Sequence, residues 1–342
     1  MQSNLLKTRP NFIDHAKIIG MFLVIFVHYF YWSELSLQPR YLVYICKVFQ
    51  LFHMPLFFII SGYLYKGVES CTLEFRKIWK TLCLPYILLS AIVIFIYHVI
   101  TFLQSNFSWR LVIKVLLGMV TGYDYHWAIC SPLWFVYALV IIRLIYIISD
   151  SRKWMILLWT GFAVVVMHLG DVIPFSIDSA LVGFLYFSTG FFGKNLINRV
   201  MSFNIFNTIV IAIISLFLLL FIGYYNGNLT SIPFSIRSME YGKVPLFSII
   251  PGLSGTILVL YIGRLFSFLI RRASSFFIFC STGMIVTLGF HKLIIKMLLS
   301  MNIFTNYGLF SAALYTLITY LVTLIIIYFF KKFMPLAIGR KI

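Results

Sequence analysis

The sequence predicts an all-α fold, a polytopic membrane bundle of about ten transmembrane helices. Of its 342 residues, 62% are hydrophobic and only 11% are charged, and the mean hydropathy is +1.00. A soluble domain of this size could not bury so much apolar surface. The apolar residues recur in runs of about 17–25, the length that crosses a bilayer as a helix. Since these runs leave no room for a separate soluble domain, residues 1–342 are predicted to form one integral membrane domain.

Ten segments are predicted to span the membrane. In chain order they cover residues 12–33, 42–65, 81–104, 132–149, 154–170, 177–194, 204–225, 244–263, 274–299 and 308–330. The first is long enough to cross and lacks a small-residue cleavage site, so we interpret it as a transmembrane helix rather than a signal peptide. The stretch WRLVIKVLLGMV, from Trp109 to Val120, is too short to cross and carries two cations. It is therefore predicted to be an interfacial or re-entrant helix.

Basic residues indicate the orientation of the bundle, because the cytoplasmic loops of membrane proteins are enriched in Lys and Arg. Such residues precede span one and follow every even-numbered span: Lys7, Arg9, Lys66, Arg76, Lys77, Lys80, Arg152, Lys153, Lys194, Arg199, Arg264, Arg271, Arg272, Lys331, Lys332, Arg340 and Lys341. Both termini are therefore predicted to be cytoplasmic. This distribution also accounts for the net charge of +18, so no nucleic-acid partner is expected.

The cysteines and histidines indicate neither a disulfide framework nor a metal site. The five cysteines (Cys46, Cys71, Cys83, Cys130 and Cys280) are odd in number and scattered, with no Cys-x-x-Cys pair. His28, His53 and His291 have no metal-ligand spacing and no clustered carboxylates beside them. No metal is expected.

Span one carries a polar stripe within an otherwise apolar helix. Lys17 and His28 are eleven positions apart, so at 100° per residue they share one face, about 16 Å apart along the axis. Asp14 lies three residues before Lys17 and can pair with it. One interpretation is that Lys17 reaches the headgroups and His28 makes a buried hydrogen bond. The alternative, favoured because ionisable residues inside membranes are usually functional, is a cavity that admits an anionic ligand from the cytoplasm and ends at His28.

Span two and the segment after it add further candidate residues. Span two contains FHMPLFFIISGYLYKG, in which His53 is a second imidazole and Gly62 permits close helix approach. A loop containing EFRKIWKTLCLPY is predicted to follow. Its cations, Arg76, Lys77 and Lys80, could hold phosphates or serve only as a cytoplasmic topology signal.

These stretches resemble the acyltransferase-3 family of integral membrane acyltransferases. Asp14, Lys17, Gly20 and His28 are similar to its first-helix pattern, in which a basic residue, usually Arg, precedes a His by ten intervening residues. FHMPLFFIISGYLY resembles its second-helix signature, particularly that of fucose O-acetylase-like and polysaccharide O-acetyltransferases, and FRKIWKTLCLPY its next basic stretch. PLWFVYAL and FLYFSTGFF resemble two later motifs. STGMIVTLGFH, which ends at His291, matches the late family pattern only loosely, so His291 receives no role.

The resemblance implies an enzyme that moves an acyl group, commonly acetyl from acetyl-CoA, to a sugar hydroxyl of a cell-surface polysaccharide or its precursor. It implies that Lys17, Arg76, Lys77 and Lys80 meet the CoA phosphates and that Asp14 orients Lys17. His28 would act as general base or carry the acyl group. A bacterial inner membrane is the expected location, and the sequence leaves the oligomeric state open.

Three further residues are candidates for substrate binding. His53 could serve the site or pack, and Trp134 could stack on a sugar ring or anchor the membrane interface. Arg143, inside span four, is expected to face the cavity or a partner carboxylate rather than lipid.

Two other function classes remain as alternatives. A transporter or flippase for a lipid-linked sugar would also need ten spans and buried charges, but the sequence shows neither the inverted repeats nor the paired broken helices typical of such proteins. A non-catalytic scaffold would have no use for a stripe that links a cation to an imidazole.

Overall fold

A computed structural model of the chain describes residues 11–33, 39–103, 108–121, 131–149, 152–170, 173–231, 233–270, 274–301 and 308–339. Across these ranges the chain is helical, and its one strand-like pairing is an isolated bridge between Ser235 and Glu240. The predicted all-α bundle is confirmed. Several predicted topology markers lie outside the described residues: Lys7, Arg9, Arg271, Arg272, Arg340 and Lys341, together with Cys130.

The helices are numbered here in chain order. They are α1 (Asn11–Trp32), α2 (Arg40–Leu64), α3 (Cys71–Ile78), α4 (Leu84–Leu103), α5 (Trp109–Thr121), α6 (Trp134–Ser149), α7 (Lys153–Leu169), α8 (Ile177–Phe192), α9 (Lys194–Met201), α10 (Ile205–Tyr225), α11 (Ile249–Leu269), α12 (Ser274–Thr282), α13 (Met284–Ser300) and α14 (Leu309–Phe333). A π-helical turn, Trp79–Cys83, joins α3 to α4, and a 3₁₀ turn, Pro335–Ile338, follows α14.

Six to eight of these units have the length and composition of a membrane span. Six are continuous helical segments, and two are pairs, α8 with α9 and α12 with α13, that bend by 63° and 66°. The two remaining predicted spans correspond to α6 and α7, which are apolar but only 16 and 17 residues long. Each predicted span thus coincides with one helical unit. Helix α5 is the separate short helix that the sequence predicted between spans three and four.

Two features differ from the sequence-based expectation. The stretch EFRKIWKTLCLPY is not a loop, because α3, the π-helical turn and α4 form one helical segment from Cys71 to Leu103. The Ser70 hydroxyl caps its first turn by accepting a hydrogen bond from the Leu73 amide at 3.3 Å. The predicted ninth span is also broken at Gly283, so bent helix pairs are present where the sequence suggested none.

Helices α2 and α8 pack closely because each carries a glycine at their crossing. A Cβ atom at Gly62 would lie 1.9 Å from the carbonyl oxygen of Phe187, and one at Gly190 would lie 2.0 Å from that of Ile59. No side chain fits at either position, as is typical of small residues at membrane helix interfaces. The predicted role of Gly62 in close helix approach is confirmed.

Helix α1 lies inside the bundle, where it packs against α2, α11, α12, α13 and α14. Its neighbours α12 and α13 meet at the bend at Gly283, where a Cβ atom would lie 2.3 Å from Ile327 of α14. This crowding explains why the residue at the bend is a glycine. The polar stripe of α1 is therefore enclosed by protein over much of its length.

The segment between α10 and α11 folds back onto the bundle. The side chain of Asn226, at the start of this segment, binds its end. The Asn226 side-chain nitrogen donates to the carbonyl oxygen of Tyr241 at 2.7 Å, and the side-chain oxygen accepts from the backbone amide of Val244 at 2.7 Å. Phe234 and Ile236 of this segment are buried. We call the end of the bundle that carries Lys17, Arg76 and Pro335–Ile338 the basic end, and the opposite end, which carries this segment, the far end.

Candidate active site

Of the residues predicted on α1, Lys17 and His28 line two cavities at opposite ends of the bundle, and Asp14 lines neither. The basic-end cavity has a volume of about 360 Å³. Lys17 lines it together with Ser61, Thr81, Ser281 and Thr282 and several apolar side chains: Met21, Met54, Phe57, Leu82, Phe135, Val136, Leu139, Met284, Ile285, Leu288 and Ile338. One ammonium and a few hydroxyls in a largely apolar cavity suit a ligand with an anionic head and an apolar arm.

Asp14 connects α1 to the bend between α12 and α13. Its carboxylate is 4% exposed and accepts a hydrogen bond from the hydroxyl of Ser281. Ser281 lines the same cavity as Lys17. The carboxylate predicted to orient Lys17 thus also fixes the position of this bend. On the same helix, α12, the Thr282 hydroxyl and the carbonyl oxygen of Phe279 each accept a hydrogen bond from the Lys331 ammonium, the first at 2.8 Å.

The end of the described chain closes one side of the basic-end cavity. Ile338 lines the cavity, and the neighbouring Gly339 lies against the π-helical turn, where its Cβ position is 3.1 Å from the Cα of Thr81. Gly339 has φ +69°, a left-handed conformation that suits glycine. The turn Pro335–Ile338 thereby ends at the cavity wall, a feature that the sequence did not predict.

The far-end cavity is smaller, about 180 Å³, and contains His28. Its wall combines imidazole, aromatic, hydroxyl and cationic side chains: Tyr31, Gln50, His53, Trp134, Ser235, Arg237, Ser238 and Lys292, with Val27, Met54, Pro132, Phe234 and Ile236. Lys17 and His28 therefore line two cavities rather than the single cavity expected from the stripe. Met54 lines both, so the two cavities approach each other at its side chain.

The hydrogen bonds of the two imidazoles define which nitrogen is basic. His28 Nδ1 lies 2.8 Å from the Val24 carbonyl oxygen, and His53 Nδ1 lies 3.0 Å from that of Phe49. A carbonyl oxygen only accepts hydrogen bonds, so Nδ1 donates its proton in each case and Nε2 carries the lone pair. In both residues Nε2 is the basic nitrogen, because Nδ1 is hydrogen-bonded to a backbone carbonyl oxygen.

A third imidazole, which the sequence left without a role, lies beside His28. The ring of His291 contacts that of His28 edge to face, with centroids 4.9 Å apart and planes at 81°. His291 is fully buried, and its Nδ1 lies 2.9 Å from the Thr287 carbonyl oxygen. Within the described part of the chain, its Nε2 has no hydrogen-bond partner. The loose match of STGMIVTLGFH was the available signal for this residue.

The other predicted cations occupy different environments. Arg143 forms an ion pair with Glu74, which is 1% exposed, and its guanidinium lies 4.6 Å from the centroid of the Tyr65 ring. It therefore faces a carboxylate, one of its two expected partners, and lines neither cavity. Lys77 is 3.2 Å from Glu69 and 3.9 Å from Glu74, so it too is engaged with carboxylates.

The last predicted residues are distributed between the two ends. Arg76 and Lys80 are exposed on the segment Cys71–Leu103 at the basic end, beside Thr81 of the cavity wall. Trp134 is 8% exposed and lines the far-end cavity. Among the described residues, no group of three or more His, Cys, Asp or Glu side chains could hold a metal ion.

This arrangement offers two ligand cavities that approach each other at Met54, one lined by Lys17 and the other by His28. An anionic ligand can place its head near Lys17, and a second, polar ligand can lie against His28 and Trp134. Group transfer requires two substrates to meet beside a group that can move a proton, and two neighbouring cavities with a basic nitrogen in one of them suit that requirement.

The comparison with known proteins agrees with this chemistry. The sequence matches the acyltransferase-3 family, described as an acyltransferase domain, over residues 11–335. No curated protein and no solved structure matches the chain significantly. The family match covers nearly the whole chain and includes α1, the far-end cavity, the two bent helix pairs and every residue that lines the basic-end cavity except Ile338. The protein therefore belongs to the acyltransferase-3 family of membrane acyltransferases.

Proposed function

We propose that the protein transfers an acetyl group from acetyl-CoA to a hydroxyl of a sugar in a cell-surface polysaccharide or its lipid-linked precursor, in a bacterial inner membrane. The observation that carries this proposal is the pair of cavities that reach Met54 from opposite ends, with Lys17 in one and His28 in the other. The family supplies acyl transfer, and the cavities suggest where the donor and the acceptor bind.

The donor is assigned to the basic-end cavity. Lys17 lines this cavity, and exposed Arg76 and Lys80 lie on the segment that forms its wall, so a phosphate bound at this end would lie near all three cations. Lys77 is less available because Glu69 and Glu74 engage it. The thioester arm would extend past the apolar side chains toward His28, about 16 Å from Lys17 along the helix axis.

The acceptor is assigned to the far-end cavity. Trp134 offers an aromatic face to a sugar ring, and the hydroxyls of Ser235 and Ser238 and the amide of Gln50 offer hydrogen-bond partners. A sugar bound there would place one hydroxyl near Nε2 of His28. The acetyl group would then reach the acceptor at the far end, while CoA stays at the basic end.

The reaction follows from the tautomer of His28. Nε2 removes the proton of the acceptor hydroxyl while its oxygen attacks the thioester carbonyl carbon. The C–S bond breaks, and the imidazolium returns the proton to the departing thiolate, so the products are an ester and CoA. Transient acetylation of Nε2 is the alternative, in which the same nitrogen attacks the thioester and the sugar hydroxyl then takes the acetyl group. Rapid-quench mixing separates the two, because only the second produces a burst of CoA without acceptor.

The test uses the full chain, purified and reconstituted in lipid nanodiscs. Acetyl-labelled acetyl-CoA is supplied with a panel of neutral, carboxylated and phosphorylated sugars. Label in the sugar, with stoichiometric release of CoA, is the expected result. Movement of a lipid-linked sugar across liposome membranes in the absence of acetyl-CoA, with no label transferred, would instead support the transporter interpretation. That outcome would contradict our proposal.

A further inference from the structure

We propose that an anionic phospholipid binds in an apolar groove between α9 and α11, with its phosphate near Arg264 and Arg199. The groove is separate from the two cavities described above, because it shares no lining residue with either of them. This site goes beyond the proposed function, since a lipid bound there takes no part in acyl transfer.

The groove is narrow and apolar. Its volume is about 210 Å³. One turn of an α-helix, about 10 Å wide and about 5.4 Å long, occupies about 400 Å³. The groove is therefore too small for a helix and suits a single hydrocarbon chain. Apolar side chains, two threonines and a glycine line it: Ile59, Thr189, Gly193, Leu196, Ile197, Val200, Met201, Leu253, Thr256, Ile257 and Leu260.

The groove opens toward the bilayer and offers few polar atoms. Leu196 is 64% exposed at its edge, and Thr189 of α8 is exposed as well. The hydroxyls of Thr189 and Thr256 donate to carbonyl oxygens of their own helices at 2.8 and 2.7 Å, so they are already satisfied. Lipid tails are as apolar as leucine, so an acyl chain can enter this groove without loss of solvation.

Helix α9 has the pattern of a helix that lies at the membrane surface. Its apolar residues all line the groove, and at 100° per residue they form one face. The other positions carry polar side chains: Lys194, Asn195, Asn198 and Arg199. An amphipathic helix with cations on its polar face lies at the level of the lipid headgroups. Headgroups are therefore expected beside the groove at the basic end.

Arg264 lies where the groove reaches the basic end. Leu253, Ile257 and Leu260 of α11 line the groove, and Arg264 follows Leu260 by four positions on the same helix face. Its Nη1 and Nη2 atoms both donate to the Phe203 carbonyl oxygen at 3.1 Å, which fixes the guanidinium just beyond α9. An acyl chain that follows this stripe would place its phosphate at this guanidinium.

The two arginines keep their positive charge in these surroundings. The hydrogen bonds of Arg264 go to the Phe203 carbonyl oxygen and the Thr208 hydroxyl, which are both neutral. Arg199 is exposed and is one position from Val200 of the groove wall. In the described part of the chain, neither arginine forms an ion pair with a carboxylate. Two guanidinium groups beside an apolar groove are complementary to an anionic headgroup that carries acyl chains.

The test titrates lipids into the purified full chain in detergent and measures the bound lipid by native mass spectrometry. Dioleoyl phosphatidylglycerol is anionic, whereas dioleoyl phosphatidylcholine has the same acyl chains and no net charge. One cation near an anionic lipid contributes about fivefold in affinity, so two should favour phosphatidylglycerol by about 25-fold. Glycerol 3-phosphate, which lacks the chains, should not displace it. Equal binding of the two lipids, or displacement by glycerol 3-phosphate, would overturn the proposal.

Matched variants assign the lipid to this groove. Arg199→Gln should reduce the preference for phosphatidylglycerol about fivefold, whereas Arg152→Gln, which changes an exposed arginine outside the groove, should retain it. Ile257→Trp should fill the groove and weaken binding of both lipids. Ile262→Trp, at an exposed position of the same helix outside the groove, should not. If Ile257→Trp does not fold, Leu196→Gln at the exposed edge replaces it.

The same spectra contain the results that contradict the site. An equal loss in Arg152→Gln or in Ile262→Trp, or unchanged binding in Arg199→Gln and in the groove variant, would overturn the proposal. A second copy of the chain seated on the groove would appear as a dimer that binds no lipid there, and this too would contradict it. Because no acyl donor is present, the result is independent of whether acetyl transfer is observed.

Discussion

The role of Lys17 can be tested by a substitution series that changes charge and geometry separately. Lys17 is half-buried in the wall of the basic-end cavity, on a side of the bundle where the other cations that we assign to the donor, Arg76 and Lys80, are exposed. An ammonium in an apolar cavity is less screened than one in water, so it should contribute more to phosphate binding than either of them.

The expected magnitude follows from the loss of one charge-assisted contact. Such a contact contributes about 1.5–3 kcal/mol, which corresponds to about ten- to hundred-fold in dissociation constant. Lys17→Met keeps the length and the apolar stem and removes the charge, so it should weaken acetyl-CoA binding by that factor. Lys17→Arg should retain most of the affinity, because the positive charge persists and a guanidinium also binds phosphate.

Isothermal titration of acetyl-CoA into the reconstituted protein measures this directly. Lys332→Met is the matched control, because Lys332 lies at the same end of the bundle, is exposed and lines neither cavity. Unchanged affinity in Lys17→Met would remove Lys17 from the donor site. An equal loss in Lys332→Met would show that the effect reflects the net charge of this end rather than the cavity.

Three further predictions address packing, a buried ion pair and topology. Gly190→Val should lower the free energy of unfolding by at least about 1–3 kcal/mol in thermal or denaturant titration, because its Cβ would overlap the Ile59 carbonyl oxygen. The control is Gly161→Val, at an exposed position where the Cβ has open space. Equal stability of the two variants would contradict the packing described. Arg143→Ala should lower the free energy of unfolding by about 3–5 kcal/mol, because it leaves the buried Glu74 carboxylate without the Arg143 guanidinium. The double variant Arg143→Ala with Glu74→Gln should recover part of that loss. No recovery would show that the ion pair contributes little to stability. An impermeant thiol reagent should label Ser231→Cys in intact cells but label native Cys71, which is exposed at the basic end, only after permeabilisation, and simultaneous labelling would reverse or refute the predicted orientation.

The hydrophobic pattern predicted the helices because the bilayer sets the length of each apolar run. The length of such a run is a local property of the chain. The same kind of information predicted the close packing at Gly62, since small residues inside membrane helices usually permit close approach. The bend at Gly283 was missed because a glycine in an apolar run does not by itself break a helix. The neighbour that excludes a larger side chain at this position, Ile327, is distant in sequence.

For a related reason, only part of the candidate site could be predicted from the sequence. The relative placement of Lys17 and His28 follows from helix periodicity, but their surroundings come from other helices. His291 is 263 positions from His28 along the chain, and no periodicity relates them; only tertiary packing brings their rings into contact. Similarly, the partner of Arg143 could be expected to be a carboxylate, but the choice of Glu74 depends on the way α3 crosses α6.

The central claim is that His28 performs the proton chemistry of acyl transfer. The most direct measurement compares the rate of acetyl transfer by the wild-type protein, His28→Gln and His168→Gln in the same nanodiscs. His168 is the matched control, because it is exposed on α7 and its Nδ1 lies 2.8 Å from the carbonyl oxygen four residues earlier, as in His28. Loss of a general base costs about 10²–10⁴-fold in rate, so we predict at least that loss in His28→Gln and a wild-type rate in His168→Gln. A correctly folded His28→Gln protein with near-normal turnover would contradict the mechanism.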